Sequence, residues 1–319
     1  MKGKAGTLIV TKKNNQTFLS KLAKDIRTNY ALYLMLVVPI ILLIIYNYIP
    51  LYGLKIAFQR FNPALGMFGN QKFVGFKWFE YLLTMDDFKY ALRNTIVIAI
   101  SKMFITMFVA IVISLLLNEM KHKKLKSAIQ TCLYLPHFIS WIILSSIFIR
   151  LLSLNGPINQ LIQSIGGSAI PFLSSNDYFQ QTIIATDVWK EFGFGTIIYL
   201  AAITGIDQEL YEAAKIDGAN RWKQALHVTL PGMLPIISLM ALLNIGGILG
   251  GNFDQIFNMY SPIVYRSGDI LDTLVYRIGL VDFNFALSTA VGLFRALVGL
   301  ILVSISYGLA YKFANYRIF

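Results

Sequence analysis

Long apolar runs occupy residues 31–48, 91–117, 128–152, 182–204, 233–257 and 286–311. A helix of about 20 residues crosses the hydrocarbon core of a bilayer, so each run reads as a membrane span. A barrel strand would show about 10 residues of alternating polarity instead. Lipid leaves no solvent for unpaired backbone groups, and a bundle of helices is the remaining solution. With 56% hydrophobic and only 14% charged residues among its 319, the chain also lacks the polar surface to clothe a soluble globule of that size. The expectation is an all-α membrane protein of six transmembrane helices. The first run follows a basic arm, as in a signal peptide, but Ile49, Pro50, Leu51 and Tyr52 come next with no small-residue cleavage pattern. It is read as a retained helix.

Lysine and arginine set the orientation. The segments 1–30, 119–127, 206–232 and the stretch after Tyr311 hold sixteen of them, whereas 49–90, 153–181 and 258–285 hold seven. By the positive-inside rule both termini are cytoplasmic. The chain then divides into a basic cytoplasmic arm (1–30), a first helix with its extracellular loop (31–90), a five-helix core (91–312) and a cytoplasmic tail (313–319). Lys121, Lys123, Lys124 and Lys126 are the topological anchor of one cytoplasmic loop. Tyr46, Tyr48, Tyr52, Trp78 and Tyr81 gather near the outer boundary as an interfacial belt. The lone Cys132 is read as a packed core thiol.

Several chemistries are excluded. A net charge of +12 suggests nucleic acid only where basic residues interleave with aromatics on a water-facing surface, and here they sit in loops. No Gly-x-x-x-x-Gly-Lys-Ser/Thr loop is present to cradle a nucleotide, and Gly246, Gly247, Gly250 and Gly251 lie in an apolar run, where they read as close helix packing. His122, His137 and His227 lack partners at metal-ligand spacing, and no Gly-x-Ser-x-Gly elbow occurs. The chain needs no cofactor of its own, and energy for active transport has to come from a partner.

The connection at 206–235 reads as two short helices rather than a plain loop. Asp207 is placed to cap the first, Leu210, Ala213 and Ala214 share one face, and Gly218 ends it in a left-handed turn. Trp222, Ala225 and Leu226 begin a second apolar face, and Pro231 and Pro235 restart the chain into the membrane. Two readings stand: a helix that docks into a groove of another protein, or an interfacial helix packed on its own bundle.

Here the sequence resembles a known family. Glu212, Ala213 and Ala214, then Asp217, Gly218 and Ala219, then Thr229, Leu230, Pro231 and Pro235 look like the EAA loop of type I ABC importer permeases. The resemblance implies that permease fold, with Glu212, Ala213, Ala214, Asp217, Gly218, Leu230 and Pro231 coupling the chain to a separate cytoplasmic ABC ATPase dimer that carries ATP and Mg. It also implies a second homologous permease, an extracellular lipid-anchored solute-binding protein, alternating access, and a place in a bacterial plasma membrane. Asn252–Phe257 with Tyr260, Ser261, Pro262, Asp272, Thr273 and Tyr276 is similar to carbohydrate-uptake permeases of Gram-positive bacteria, which implies an oligosaccharide substrate.

Charged groups near the middle of a span cost about 2.5 to 3.5 kcal/mol each on insertion scales and usually face a cavity or a partner. Asp187, Trp189, Lys190 and Glu191 cluster in the fourth run, where Asp187 and Glu191 share a face and Lys190 is placed to pair with Asp187. Asn244, Asn252 and Asp254 form a second polar set in the fifth. Both sets are assigned to the substrate pathway, beside the plainer reading of a structural ion pair with a boundary tryptophan. A secondary transporter or channel with its own ion site is the rival class, but the repeated, broken halves it needs are not evident. Topology is directly testable. In a Cys132→Ser background, a cysteine at Ser175 is expected to react with a membrane-impermeant maleimide in intact cells; reaction only after permeabilisation reverses the orientation.

Overall fold

The computed structural model describes residues 26–247 and 253–314. The chain divides into two units, Met1–Lys55 and Ile56–Phe319. Residues 1–25 of the basic arm, Gly250, Gly251 and Asn252, and residues 315–319 of the tail lie outside the described residues. The first unit contains most of α1 (Tyr30–Phe58), whose apolar stretch has no buried residue. A helix apolar all round and exposed all round is suited to lipid. α1 runs past Pro50, ten residues beyond the expected end of the first span, because a π-turn at Ile44–Tyr48 precedes that proline. The ring of a proline collides with the carbonyl four residues back, and a widened turn at that point makes room.

In the second unit a two-stranded ribbon, β1 (Gln59–Arg60) with β2 (Lys72–Phe73), and α2 (Lys77–Thr84) lead into α3 (Asp86–Asn118). The bundle then continues through α4 (Lys123–Tyr134), α5 (Trp141–Leu151), α6 (Pro157–Ser164), α7 (Phe179–Thr204), α8 (Gln208–Ile216), α9 (Arg221–Gln224), α10 (Leu230–Gly247), α11 (Phe253–Met259), α12 (Tyr265–Gly268), α13 (Leu271–Tyr276) and α14 (Phe285–Ala314). Four described helices are long and apolar enough to cross a membrane: α1, α3, the α9–α10 rod and α14. The bent α4–α5 pair makes a fifth. At 26 residues α7 is about 39 Å long, also sufficient, and it carries the charged residues Asp187, Lys190 and Glu191.

Three expectations are corrected. The run 128–152 is a broken span: α4 and α5 meet at 101° across a 3-10 turn at Leu135–Phe138. Pro136 removes an N–H there, and Ser140 restarts the helix by accepting the Ile143 N–H at 3.5 Å. Of the run 233–257, α10 is described to Gly247 and α11 from Phe253. Pro231 and Pro235 do not restart the chain, because α9 and α10 form one rod through a second π-turn, Ala225–Thr229, again two residues before a proline. Cys132 is exposed, on a helix that buries none of its residues, and is not a core thiol.

The core follows the α3–α7 pair. At one end Phe88, Leu82, Leu271 and Leu274 pack together, in the middle Ile98, Phe179, Ile183 and Ile256, and at the other end Ala110, Tyr199, Ile203 and Met233. Successive clusters bury α3 along its length, which places α8 at one end and α12–α13 at the other. Glycines set the spacing. A Cβ on Gly193 would stand 1.9 Å from the Leu133 carbonyl oxygen, so α7 and α4 touch by backbone. A Cβ on Gly195 would stand 3.2 Å from Ala110 Cβ, a far milder contact. Gly193→Ala is therefore expected to cut the yield of assembled protein severely, overpacking of this kind costing about 1 to 3 kcal/mol or more, whereas Gly195→Ala leaves most of it. Fluorescence-detected size exclusion of the two variants makes the comparison; equal yields contradict the packing.

Candidate functional site

The first polar feature is the helix pair between α7 and α10. Asp207 caps α8 by accepting the Glu209 N–H at 3.0 Å. At the other end Gly218 has φ +77, its N–H reaches the Lys215 carbonyl at 3.0 Å, and the Ala219 N–H reaches the Ala214 carbonyl at 2.9 Å. That is a Schellman closure, for which Gly is the favoured residue. Asn220 caps α9 through the Lys223 N–H, and Arg221 pairs with Glu119 at the end of α3. Tyr211 fixes α8 to the bundle: its hydroxyl lies 2.9 Å from Oγ1 of the buried Thr229.

The opposite face of α8 is open. Leu210 and Ile216 are exposed to 53% and 87%, and Glu212 and Ala213 are exposed beside them. Ala214 is half-buried, and Asp217 closes the helix at its C-cap. Leu230 and Pro231 begin α10 directly after the π-turn, Leu230 half-buried and Pro231 exposed. The sequence-assigned positions thus form one continuous, locally capped unit with an apolar face turned away from the chain.

The second feature lies between α3, α5, α7 and α11. Asp187 does not pair with Lys190. It accepts Lys102 of α3 at 3.2 Å, and Lys102 also donates to Gln255 of α11. Gln255 in turn donates to the Ile183 carbonyl at 2.8 Å and to Thr186 Oγ1 at 2.9 Å. This pair joins two neighbouring helices, and Gln255 gives Lys102 a second partner. Lys190 donates to Glu191 at 2.7 Å and to the His137 carbonyl at 2.9 Å, and His137 Nδ1 lies 2.6 Å from the other Glu191 oxygen. The His137 ring stacks on Phe194 at 4.0 Å. Lys190 and Glu191 therefore serve the break between α4 and α5, where the 3-10 turn leaves polar groups without a helical partner.

The remaining pathway positions separate. Trp189, 46% exposed, meets Phe148 edge-on and lines an apolar cavity of about 500 Å³ with Ile105, Ile184 and Val188. Asn244 and Asp254 are exposed and stand outside both networks. Lys102 carried no role in the sequence reading, and Gln255 entered only within the Asn252–Phe257 stretch. A lone lysine in the apolar run 91–117 was the available signal, since an unpartnered charge at that depth is too costly to keep.

Comparison with known proteins gives a consistent picture. The family described as binding-protein-dependent transport system inner membrane component matches residues 110–315. The chain is 42% identical over 299 residues to the polygalacturonan/rhamnogalacturonan transport system permease protein YteP of Bacillus subtilis (strain 168), covering 93% of this chain and 92% of that one. It is 39% identical over 289 residues to protein LplB of the same organism, covering 90% and 91%. Its structure is similar, with a TM-score of 0.84 and 33% identity, to a chain in the crystal structure of a bacterial alginate ABC transporter in complex with alginate pentasaccharide-bound periplasmic protein, covering 93% and 100%.

The ion pair sets up a reversal test. Lys102→Met leaves the largely enclosed Asp187 without its cation and is expected to cost about 3 to 5 kcal/mol, seen as loss of folded protein after mild heating. Lys102→Met combined with Asp187→Leu is expected to recover most of that loss. A double variant no better than Lys102→Met contradicts the pairing.

Proposed function

The chain belongs to the family of binding-protein-dependent transport system inner membrane components, and from that premise we propose that it carries an oligosaccharide across the membrane by alternating access, driven by a separate ATPase docked on α8. It is a multi-pass permease of the bacterial plasma membrane, in an importer fed by a binding protein. The observation that carries the coupling role is the geometry of α8: it is capped at both ends, fixed to the bundle by Tyr211, and exposes Leu210, Glu212, Ala213 and Ile216. A helix held this way moves with the bundle. Its open face is the size and chemistry of a ridge for a groove, with small Ala213 allowing close approach beside the charge of Glu212. The ATPase dimer would bind ATP and Mg, so this chain itself hydrolyses nothing.

The other partners follow from the same premise. A second homologous permease would complete the pore, and a lipid-anchored binding protein would deliver the solute from outside. Sugar permeases among the relatives support an oligosaccharide cargo. Within the pathway, Asp187, Lys190 and Glu191 are committed to ion pairs, and the exposed side chains of Trp189, Asn244 and Asp254 are those a sugar ring or hydroxyl reaches. Asn252 completes the set proposed from the sequence.

The test is assembly and coupling in membranes with normal permease levels. Glu212→Lys and Ala213→Trp are expected to lose co-purifying ATPase or its stimulation by the binding protein, Ala213→Trp by overpacking a docked surface at about 1 to 3 kcal/mol. Gly218→Val should be worse than Gly218→Asn, because a β-branched residue at positive φ is strongly disfavoured. Normal assembly and stimulation in both Glu212→Lys and Ala213→Trp removes α8 from the coupling role.

A further inference from the structure

A polar cavity of about 290 Å³ opens at the end of the bundle away from α8, between the N-terminal turns of α3 and α7 and the short helix α12. Its walls include Arg93, Asn94, Asn176, Asp177, Gln180 and Arg266. Three amides make the frame rigid. Asn94, fully buried, donates to the Arg266 and Asp269 carbonyls at 3.1 and 3.0 Å. Gln180 donates to Asn94 Oδ1 and to the Ser267 carbonyl, both at 2.9 Å. Asn176 accepts the Ser267 N–H at 3.1 Å and donates to the Ile263 carbonyl at 3.0 Å. α12 is thereby clamped from two sides, and Arg266 is held where it shares a cavity with Arg93.

Neither guanidinium meets a carboxylate among the described residues. Arg266 lies over the Tyr90 ring at 5.6 Å, and Arg93 is exposed. The other arginines at this end differ: Arg277 contacts Asp269 at 2.6 Å and Asp87 at 3.2 Å, and Arg295 contacts Asp272 at 2.9 Å. Burial works against the charge of Arg277, but the hydrogen bonds and charges of Asp269 and Asp87 outweigh it and hold its pKa above the ordinary value. Asp177 is the one acidic residue on the cavity wall, against two arginines. Guanidinium groups match carboxylates in planar, two-point fashion, and the Gln180 side-chain oxygen remains to accept a hydroxyl. A cavity of this volume, at the lower limit for small-molecule sites, suits one sugar ring rather than a chain.

We propose that Arg93 and Arg266 receive the carboxylate of a uronic-acid residue at the entrance to the pathway, so that the imported oligosaccharide is acidic. The assignment rests on the importer reading and names its substrate class. It places charge selection at the mouth, while the buried cations Lys102 and Lys190 are already matched within the bundle.

The importer, purified with its ATPase into lipid nanodiscs and kept free of binding protein, would be titrated with digalacturonate and with neutral digalactose, followed by saturation-transfer NMR. Digalacturonate is expected to bind at least tenfold more tightly. The pair of changes Arg93→Gln and Arg266→Gln should bring that ratio below twofold, and Arg93→Lys with Arg266→Lys should retain part of it. Because the readout is a ratio on one sample, loss of folded material cancels. Equal affinity for the two sugars, no binding of digalacturonate, or an unchanged ratio in the glutamine variant each overturns the proposal. A site that instead docks an acidic surface of the binding protein gives the first or second of these results. ATPase co-purification on the same preparations reports separately on the importer reading.

Discussion

Inside a bilayer a polar group that lacks a partner in the chain has none at all, and most of the unusual features of this bundle answer that constraint. Lys102 and Asp187 meet between α3 and α7, and Gln255 brings α11 onto the same node. Lys190 reaches the His137 carbonyl that the α4–α5 break exposes, and Glu191 holds both Lys190 and His137. The π-turns before Pro50 and Pro231 keep two helices continuous where a proline would have interrupted them. Each arrangement satisfies a local deficit, and the side chains that do so come from different helices. Satisfaction and assembly are therefore the same event here.

The two proposed sites lie at opposite ends of the same pair of helices. α3 and α7 run from the arginine-lined cavity to the junction with α8, a distance of about 40 Å given the rise of a helix. At the far end Arg221 pairs with Glu119 just past the end of α3, and Tyr211 of α8 bonds Thr229 just before α10. In the proposed coupling, a displacement of α8 would pass to α10 through Tyr211 and Thr229, and to α3 through α9 and Arg221. This is the mechanical basis for reading α8 as a coupling element and for placing solute recognition at the opposite end.

Local signals in the sequence were reliable where the chemistry is local. The Asp207 cap, the left-handed Gly218 and the limits of α8 were all legible, because a cap or a turn is decided by residues within one or two positions. The cluster at Asp187, Lys190 and Glu191 was legible as costly, but its partners were not. Pairing along one helix was the only geometry that spacing could supply, and the observed partner of Asp187 is 85 residues away. The broken span at Leu135–Phe138 was hidden for a related reason: its apolar composition matches a straight helix, and the polar groups that stabilise the bend come from α7.

The sequence alone determined that this chain lives in a membrane as helices, where its loops carry positive charge, and which loop resembles the EAA motif, since these depend on hydrophobic run length, charge bias and short-range spacing. Tertiary structure decided which buried charges neutralise one another, that α9 and α10 are one rod, and that Arg93 and Arg266 share a cavity although 172 residues separate Asn94 from the Arg266 carbonyl it holds. Those outcomes depend on which helix faces which. In lipid that choice is made by close packing at positions such as Gly193 and by the matching of polar groups between helices, neither of which is written in any one segment.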